Sequence, residues 1–242
     1  MLKKWEDLPR WMQCPEVREY YDILRKRKVS LMLKRVFDLV AGVCILAVTA
    51  IPMIVLAVFI KMDSPGPVFY RQERVTVYGK KFRIHKFRTM VRNADQIGSA
   101  LTVDGDCRIT RIGRKMREHR LDELPQIFDV LSGNMSFVGT RPEVSKYVER
   151  YTKEMYATLL LPAGITSEAS IRYKNESSLL NAAEDVDKVY IEDILPEKMK
   201  YNLWAIRKFS FCAEIMTVIR TVFAVLGSDF SDDVEMGMEA TK

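Results

Sequence analysis

Histidine and cysteine are scarce in this chain. Two histidines, His85 and His119, and four cysteines, Cys14, Cys44, Cys107 and Cys212, are scattered over 242 residues without a CxxC pair. This argues against a zinc site, and dispersed thiols suit a reducing cytosol or a bilayer. Internal repeats and low-complexity tracts are absent. Residues 1–19 are charged and aromatic, which is not a signal-peptide pattern. What is present is enough apolar material for a real core: hydrophobic residues make up 48% and charged residues 29%, which excludes a disordered chain. Lysine and arginine (38) outnumber aspartate and glutamate (32), giving +6. That balance favours anionic partners: membrane lipid, phosphorylated substrates or nucleic acid.

One long apolar run stands out. Residues 37–60 read FDLVAGVCILAVTAIPMIVLAVFI, with Asp38 the single charge. A helix of this length covers about 36 Å, enough to cross a bilayer. Two features argue against a simple span. Pro52 removes a backbone hydrogen bond and kinks a helix. Both flanks are rich in Lys and Arg, and positive flanks tend to stay on the cytoplasmic side. A helix that enters, bends at Ile51-Pro52 and returns satisfies both flanks, with Thr49 available to bond a freed carbonyl. This divides the chain into an amphipathic segment (1–35), a re-entrant membrane helix (36–61), a globular domain (62–227) and a loose acidic tail (228–242). The aromatic and basic residues of 1–35 fit a membrane interface and equally fit packing on the globular part.

Periodicity and turn residues predict an α+β domain, mainly helical with a small hairpin. Strands are expected at 68–78 and 81–88 around Tyr78-Gly79-Lys80. Short helices are expected at 92–100, 112–120 and 123–131, the last capped by Asp122. Further helices are expected at 144–161, 183–194 and 196–206, with a strand-like stretch at 165–173. The run 209–226 carries Glu214 and Arg220 and reads as an amphipathic surface helix, not a second span.

Three segments could carry chemistry. Asp122-Glu123 lies at a helix start, where free N–H groups and the dipole suit phosphate, just after Arg111, Arg114, Lys115, Arg117 and Arg120. The alternative is that the acids simply neutralise the arginines. Lys86 and Arg88, two apart on a strand, share a face and could hold a pyrophosphate; a solvated basic strand is the alternative. In Gly133–Glu143, Gly139 permits close backbone approach, and Arg141, set before a proline, is biased to an extended conformation from which it can reach a phosphate. A plain surface turn would explain that segment equally well. Together these features suggest chemistry on a phosphate with a divalent metal.

Taken in order, the segments resemble the bacterial sugar transferases, the monotopic phosphoglycosyl transferases. The resemblance rests on KRVFD (34–38), GPVFYRQER (66–74), KFRTM (86–90), Gly113-Arg114 with Arg117, LDELPQ (121–126), GNMSFVGTRPE (133–143) and AGIT (163–166), and it covers roughly 34–226. The chain departs from the family pattern at Thr140, Asp129, Pro162 and 167–173. The resemblance implies an enzyme with Asp122 as nucleophile, attacking a UDP-sugar and expelling UMP. It implies Glu123 holding Mg²⁺, and Arg117 and Arg141 on phosphate oxygens, with Lys86, Arg88 and Arg114 as further phosphate-binding candidates. The covalent phosphosugar would pass to undecaprenyl phosphate, initiating a surface glycan at the cytoplasmic face of a bacterial inner membrane. Phospholipid and downstream glycosyltransferases are the implied partners; nucleic acid is not. The competing reading, a membrane-anchored basic adaptor for anionic lipid or nucleic acid, needs no acid pair.

Overall fold

The computed structural model describes residues 2–94, 106–173 and 185–225. Most of the expected helix at 92–100, the start of that at 183–194 and the tail from 228 lie outside the described residues. In chain order, 3₁₀ turns at Trp5–Asp7 and Arg10–Met12 lead into α1 (Pro15–Lys26) and α2 (Lys28–Asp63). Next come β1 (Phe69–Val75), β2 (Lys81–Phe87), α3 (Arg111–Glu118), a 3₁₀ segment Leu121–Gln126, α4 (Ile127–Leu131), β3 (Met135–Val138) and α5 (Ser145–Val148). A 3₁₀ segment Met155–Leu160, β4 (Ala163–Thr166) and α6 (Glu168–Arg172) follow. The last described elements are α7 (Val186–Val189), a π turn Tyr190–Ile194, α8 (Leu195–Arg207) and α9 (Phe211–Val225). β1 and β2 form the expected antiparallel hairpin, Phe69 opposite Phe87 and Val75 opposite Lys81. β3 and β4 pair in parallel, Met135 with Ala163 and Val138 with Thr166.

The N-terminal segment spends its apolar face on the core. Leu8, Met12, Val17, Tyr20, Tyr21 and Leu24 are buried with Tyr147, Leu160, Tyr190, Leu195 and Met199. Packing on the globular part, not a membrane interface, is therefore the role of those residues. A second cluster joins the two sheets through Phe82, Ile84, Val130, Met135 and Ala163. A third seats Met53 and Ile60 of α2 against Phe87 and Met116.

Four local expectations are corrected. Residues 144–161 are not one helix: α5 stops at Val148, and a 3₁₀ segment opens near Thr152, whose hydroxyl accepts from the Met155 N–H. The strand expected to reach residue 173 ends at Thr166, because the Ser167 hydroxyl accepts the Ser170 N–H and caps α6. Asp122 caps nothing and lies inside the 3₁₀ segment, which begins after Arg120. The helices foreseen at 183–194 and 196–206 join instead through the π turn, since Pro196 sits in the first turn of α8, where its missing N–H costs nothing.

α2 is long and apolar enough to cross a membrane by length and composition. It stays helical through Ile51 and Pro52, both exposed. The Thr49 hydroxyl bonds the Ile45 carbonyl at 2.7 Å, not that of Val48, which Pro52 leaves free. Both ends of α2 grip the same globular body. At the N-terminal end Lys34 donates to the Val138 carbonyl (2.6 Å) and pairs with Glu214, and Arg35 donates to the carbonyls of Val130 and Leu131. Asp38 accepts from the Ser136 hydroxyl and the Phe137 N–H. At the other end Asp63 accepts from the Ile112 N–H at 3.0 Å. Between these anchors Val43, Ile45, Val48, Ile51 and Ile54 are exposed.

Candidate active site

The site is assembled where the hairpin, the 3₁₀ segment and the loop after β3 meet. The chain enters the 3₁₀ segment through Arg120, a non-glycine residue at φ 55°, ψ 20°. That left-handed turn costs free energy and sets Leu121–Gln126 against β2. α3 can lie directly on the strand end because Gly113 has no side chain: a Cβ there would stand 2.1 Å from the Thr89 carbonyl oxygen. The loop after β3 is held in the same way. A Cβ on Gly164 would stand 2.2 Å from backbone atoms of Gly139.

Glu123 is the electrostatic hub. Its Oε1 accepts from Lys86 Nζ at 2.8 Å and from Arg141 Nη2, and its Oε2 receives a longer contact, 3.4 Å, from Arg141 Nη1. Burial pushes its carboxyl pKa up, but Arg141 and Lys86 outweigh burial and hold it well below the usual carboxylate range. Asp122 is the opposite case. It is 8% exposed and makes no hydrogen bond or ion pair among the described residues. Burial raises its pKa, the neighbouring Glu123 charge adds to the rise, and Lys86, Arg117 and Arg141 pull it back down. Burial likewise pulls Lys86 down, against the charge of Glu123.

The expected cations separate into two groups. Lys86, Arg117 and Arg141 surround the acids; Arg117 is aimed by Thr89, whose hydroxyl accepts from Nε at 2.9 Å. Arg88 is elsewhere. It leaves the strand after Phe87, is buried, and donates to the carbonyls of Ser64 (2.7 Å) and Pro65 (2.9 Å). It ties the turn after α2 to β2, so Lys86 and Arg88 do not share a phosphate. Arg114 is exposed one turn before Arg117.

Sequence reasoning missed the supports of this site. Glu143 is buried and accepts from the Tyr190 hydroxyl at 2.6 Å, and Arg74 donates to the Pro142 carbonyl at 3.1 Å, fixing the loop that carries Arg141. Asp129, fully packed beneath β2, accepts from both the backbone N–H and the ring of His85. The only sequence signal for these was two acids at otherwise apolar positions.

A bacterial sugar transferase family model matches residues 29–228. The chain belongs to this family. Among curated relatives of the family, a UDP-N-acetylgalactosamine-undecaprenyl-phosphate N-acetylgalactosaminephosphotransferase of Aeromonas hydrophila is 36% identical over 80% of this chain and 44% of its own length. A UDP-glucose:undecaprenyl-phosphate glucose-1-phosphate transferase of Caulobacter vibrioides is 34% identical over 81% of this chain and 70% of its own. An undecaprenyl-phosphate galactose phosphotransferase of Salmonella typhimurium is 32% identical over 84% and 42%. The chain thus spans less than half the length of the Aeromonas and Salmonella relatives. In this chain the acid pair lies among three cations, and the sugars in the relatives' names differ.

Proposed function

We propose that this chain is a phosphoglycosyl transferase, moving a sugar-1-phosphate from a UDP-sugar to undecaprenyl phosphate. The observation that carries this is the unequal environment of two adjacent buried acids. Glu123 is clamped by Lys86 and Arg141, whereas Asp122 has no hydrogen bond among the described residues inside the same ring of cations. A group held free and desolvated within reach of anion-binding cations suits a nucleophile; its clamped neighbour suits an organiser.

In this reading an Asp122 carboxylate oxygen attacks the sugar-bearing phosphorus. The P–O bond to the nucleotide breaks, and UMP departs with the electron pair. The undecaprenyl phosphate oxygen then attacks the same phosphorus and releases the Asp122 carboxylate, leaving the lipid diphosphate sugar. Arg117, Arg141 and Lys86 offset charge that builds on the phosphoryl oxygens, a contribution of about 10²–10³ in rate for one such donor. Among the described residues no cluster of three or more His, Cys, Asp or Glu forms a metal cage. Mg²⁺ commonly needs only one or two carboxylates beside substrate phosphates, and Glu123 Oε2, with its single long contact, suits that arrangement. When bound, the ion would neutralise the diphosphate, with Glu123 as its protein ligand.

The acceptor is a lipid, so the site belongs at a membrane face. The two anchored ends of α2 and its exposed apolar middle support a helix that dips into one leaflet, with the globular body on the cytoplasmic side. α9, with Met216, Ile219, Val222 and Phe223 exposed, would lie on the same surface. The test is UMP release from purified protein with Mg²⁺, undecaprenyl phosphate and a panel of UDP-sugars, Asp122→Asn in parallel. Release that depends on Asp122 supports the reading. An adaptor would release nothing, and its lipid binding would survive the substitution.

A further inference from the structure

A cavity that the reaction scheme does not use opens on the loop that carries Arg141. It has about 220 Å³ of internal space, ample for a hexose ring. Its wall includes Gly139 and Thr140 of the Arg141 loop, Glu168 from α6, Trp204 from α8, and Thr217 and Arg220 from α9. It therefore sits beyond the carboxyl ends of the parallel strands β3 and β4. Thr140 in its wall is the chain neighbour of Arg141, whose side chain bonds Glu123.

Two polar groups in this wall have no hydrogen-bond partner among the described residues. Glu168 is 6% exposed; its Oε1 is held by the Thr217 hydroxyl and, at 3.5 Å, by Arg220, but its buried Oε2 has no partner. Trp204 Nε1 is likewise buried without an acceptor. An unsatisfied buried acceptor and an unsatisfied buried donor are each costly. A hydroxyl can meet either need, since it can donate one hydrogen bond and accept another. A prenyl tail resolves neither and would bury the carboxylate against hydrocarbon.

We infer that this cavity receives the sugar ring of the donor, with Glu168 and Trp204 reading its hydroxyl or amide groups. The inference rests on the proposed transferase reading and adds specificity to it. Sites built to hydrogen-bond a substrate hydroxyl discriminate far more sharply than apolar pockets do. Both residues therefore help to set which sugar is taken, and α6 lies in the stretch that departs from the family pattern.

The experiment is a donor competition with the full chain, measuring kcat/KM for UDP-glucose, UDP-galactose, UDP-N-acetylglucosamine and UDP-N-acetylgalactosamine, with UMP inhibition alongside. Wild type is compared with Glu168→Gln and Trp204→Phe, each checked by thermal melting. The expected result is a fall of about tenfold or more in preference between donors, with UMP inhibition unchanged. Trp204→Phe keeps the ring and removes only the N–H, so it carries the test if Glu168→Gln does not fold. Unchanged donor ratios in a folded variant overturn the inference while leaving the transferase reading intact. Equal loss with every donor plus weaker UMP inhibition would assign the cavity to the nucleotide and overturn it too. A wild type that releases no UMP with any donor removes both readings.

Discussion

Asp122 and Glu123 are chain neighbours with opposite electrostatics, and that difference makes testable claims. For a nucleophile whose pKa is raised, the ionised form accumulates only above the ordinary aspartate range. The acid limb of kcat/KM, which reports the free enzyme, should therefore lie above that range. Lys86 lowers the Asp122 pKa, so Lys86→Met should move the limb to higher pH as well as reduce the rate; a limb that stays put would separate it from Asp122. Asp122→Asn should abolish turnover by at least about 10³-fold, as loss of a nucleophile does, with the melting temperature no lower than wild type, because this acid has no hydrogen bond to lose. Glu123→Gln should cost stability too, since it leaves Arg141 and Lys86 facing a neutral partner. The acid pair was legible in the sequence because two carboxylates amid arginines are rare. Their separate roles came only from the resemblance, because the difference in their surroundings depends on Lys86 and Arg141 arriving from segments 37 and 18 residues away.

At the scale of elements, the hairpin, α3 and α9 follow from turn residues and apolar spacing, and the structure bears them out. Two of the failures share a cause. At Ser167 and near Thr152 a single hydroxyl bonds a nearby N–H and starts a new turn inside an apolar run, a local competition that periodicity does not register. Arg88 failed for another reason: alternation on a strand places it beside Lys86, but the strand ends at Phe87. Its role now makes a prediction. Arg88→Met should strand the carbonyls of Ser64 and Pro65 and lower stability by about 2–4 kcal/mol, read by chemical denaturation, while folded enzyme keeps most of its turnover. A phosphate ligand would show the reverse. Gly164→Ala should be worse, because the atoms its Cβ meets belong to the Gly139 backbone and cannot rotate away.

For the whole molecule, the question is where α2 runs. Its apolar length was plain in the sequence; its anchoring was not, because Lys34 and Arg35 read there as positive flank and as part of the KRVFD motif, neither of which says what they grip. In the structure they grip β3, α4 and α9, while Asp63 holds α3. Lys34 and Asp63 are 29 positions apart, about 44 Å of helix at ~1.5 Å per residue, yet both bond to one globular body. A helix crossing the bilayer would put those ends on opposite sides, and one end would lose every partner, including the buried pairing of Lys34 with Glu214. The anchoring thus predicts one-sided topology. In a background with Cys14, Cys44, Cys107 and Cys212 changed to serine, single cysteines at Lys28 and Lys61 should both resist an impermeant maleimide in intact cells and both react in inverted vesicles. Labelling of one from each side would establish a spanning helix. It would also mean that the contacts at one end of α2 are not made in the membrane, which would separate the acid pair from the lipid surface it is proposed to serve.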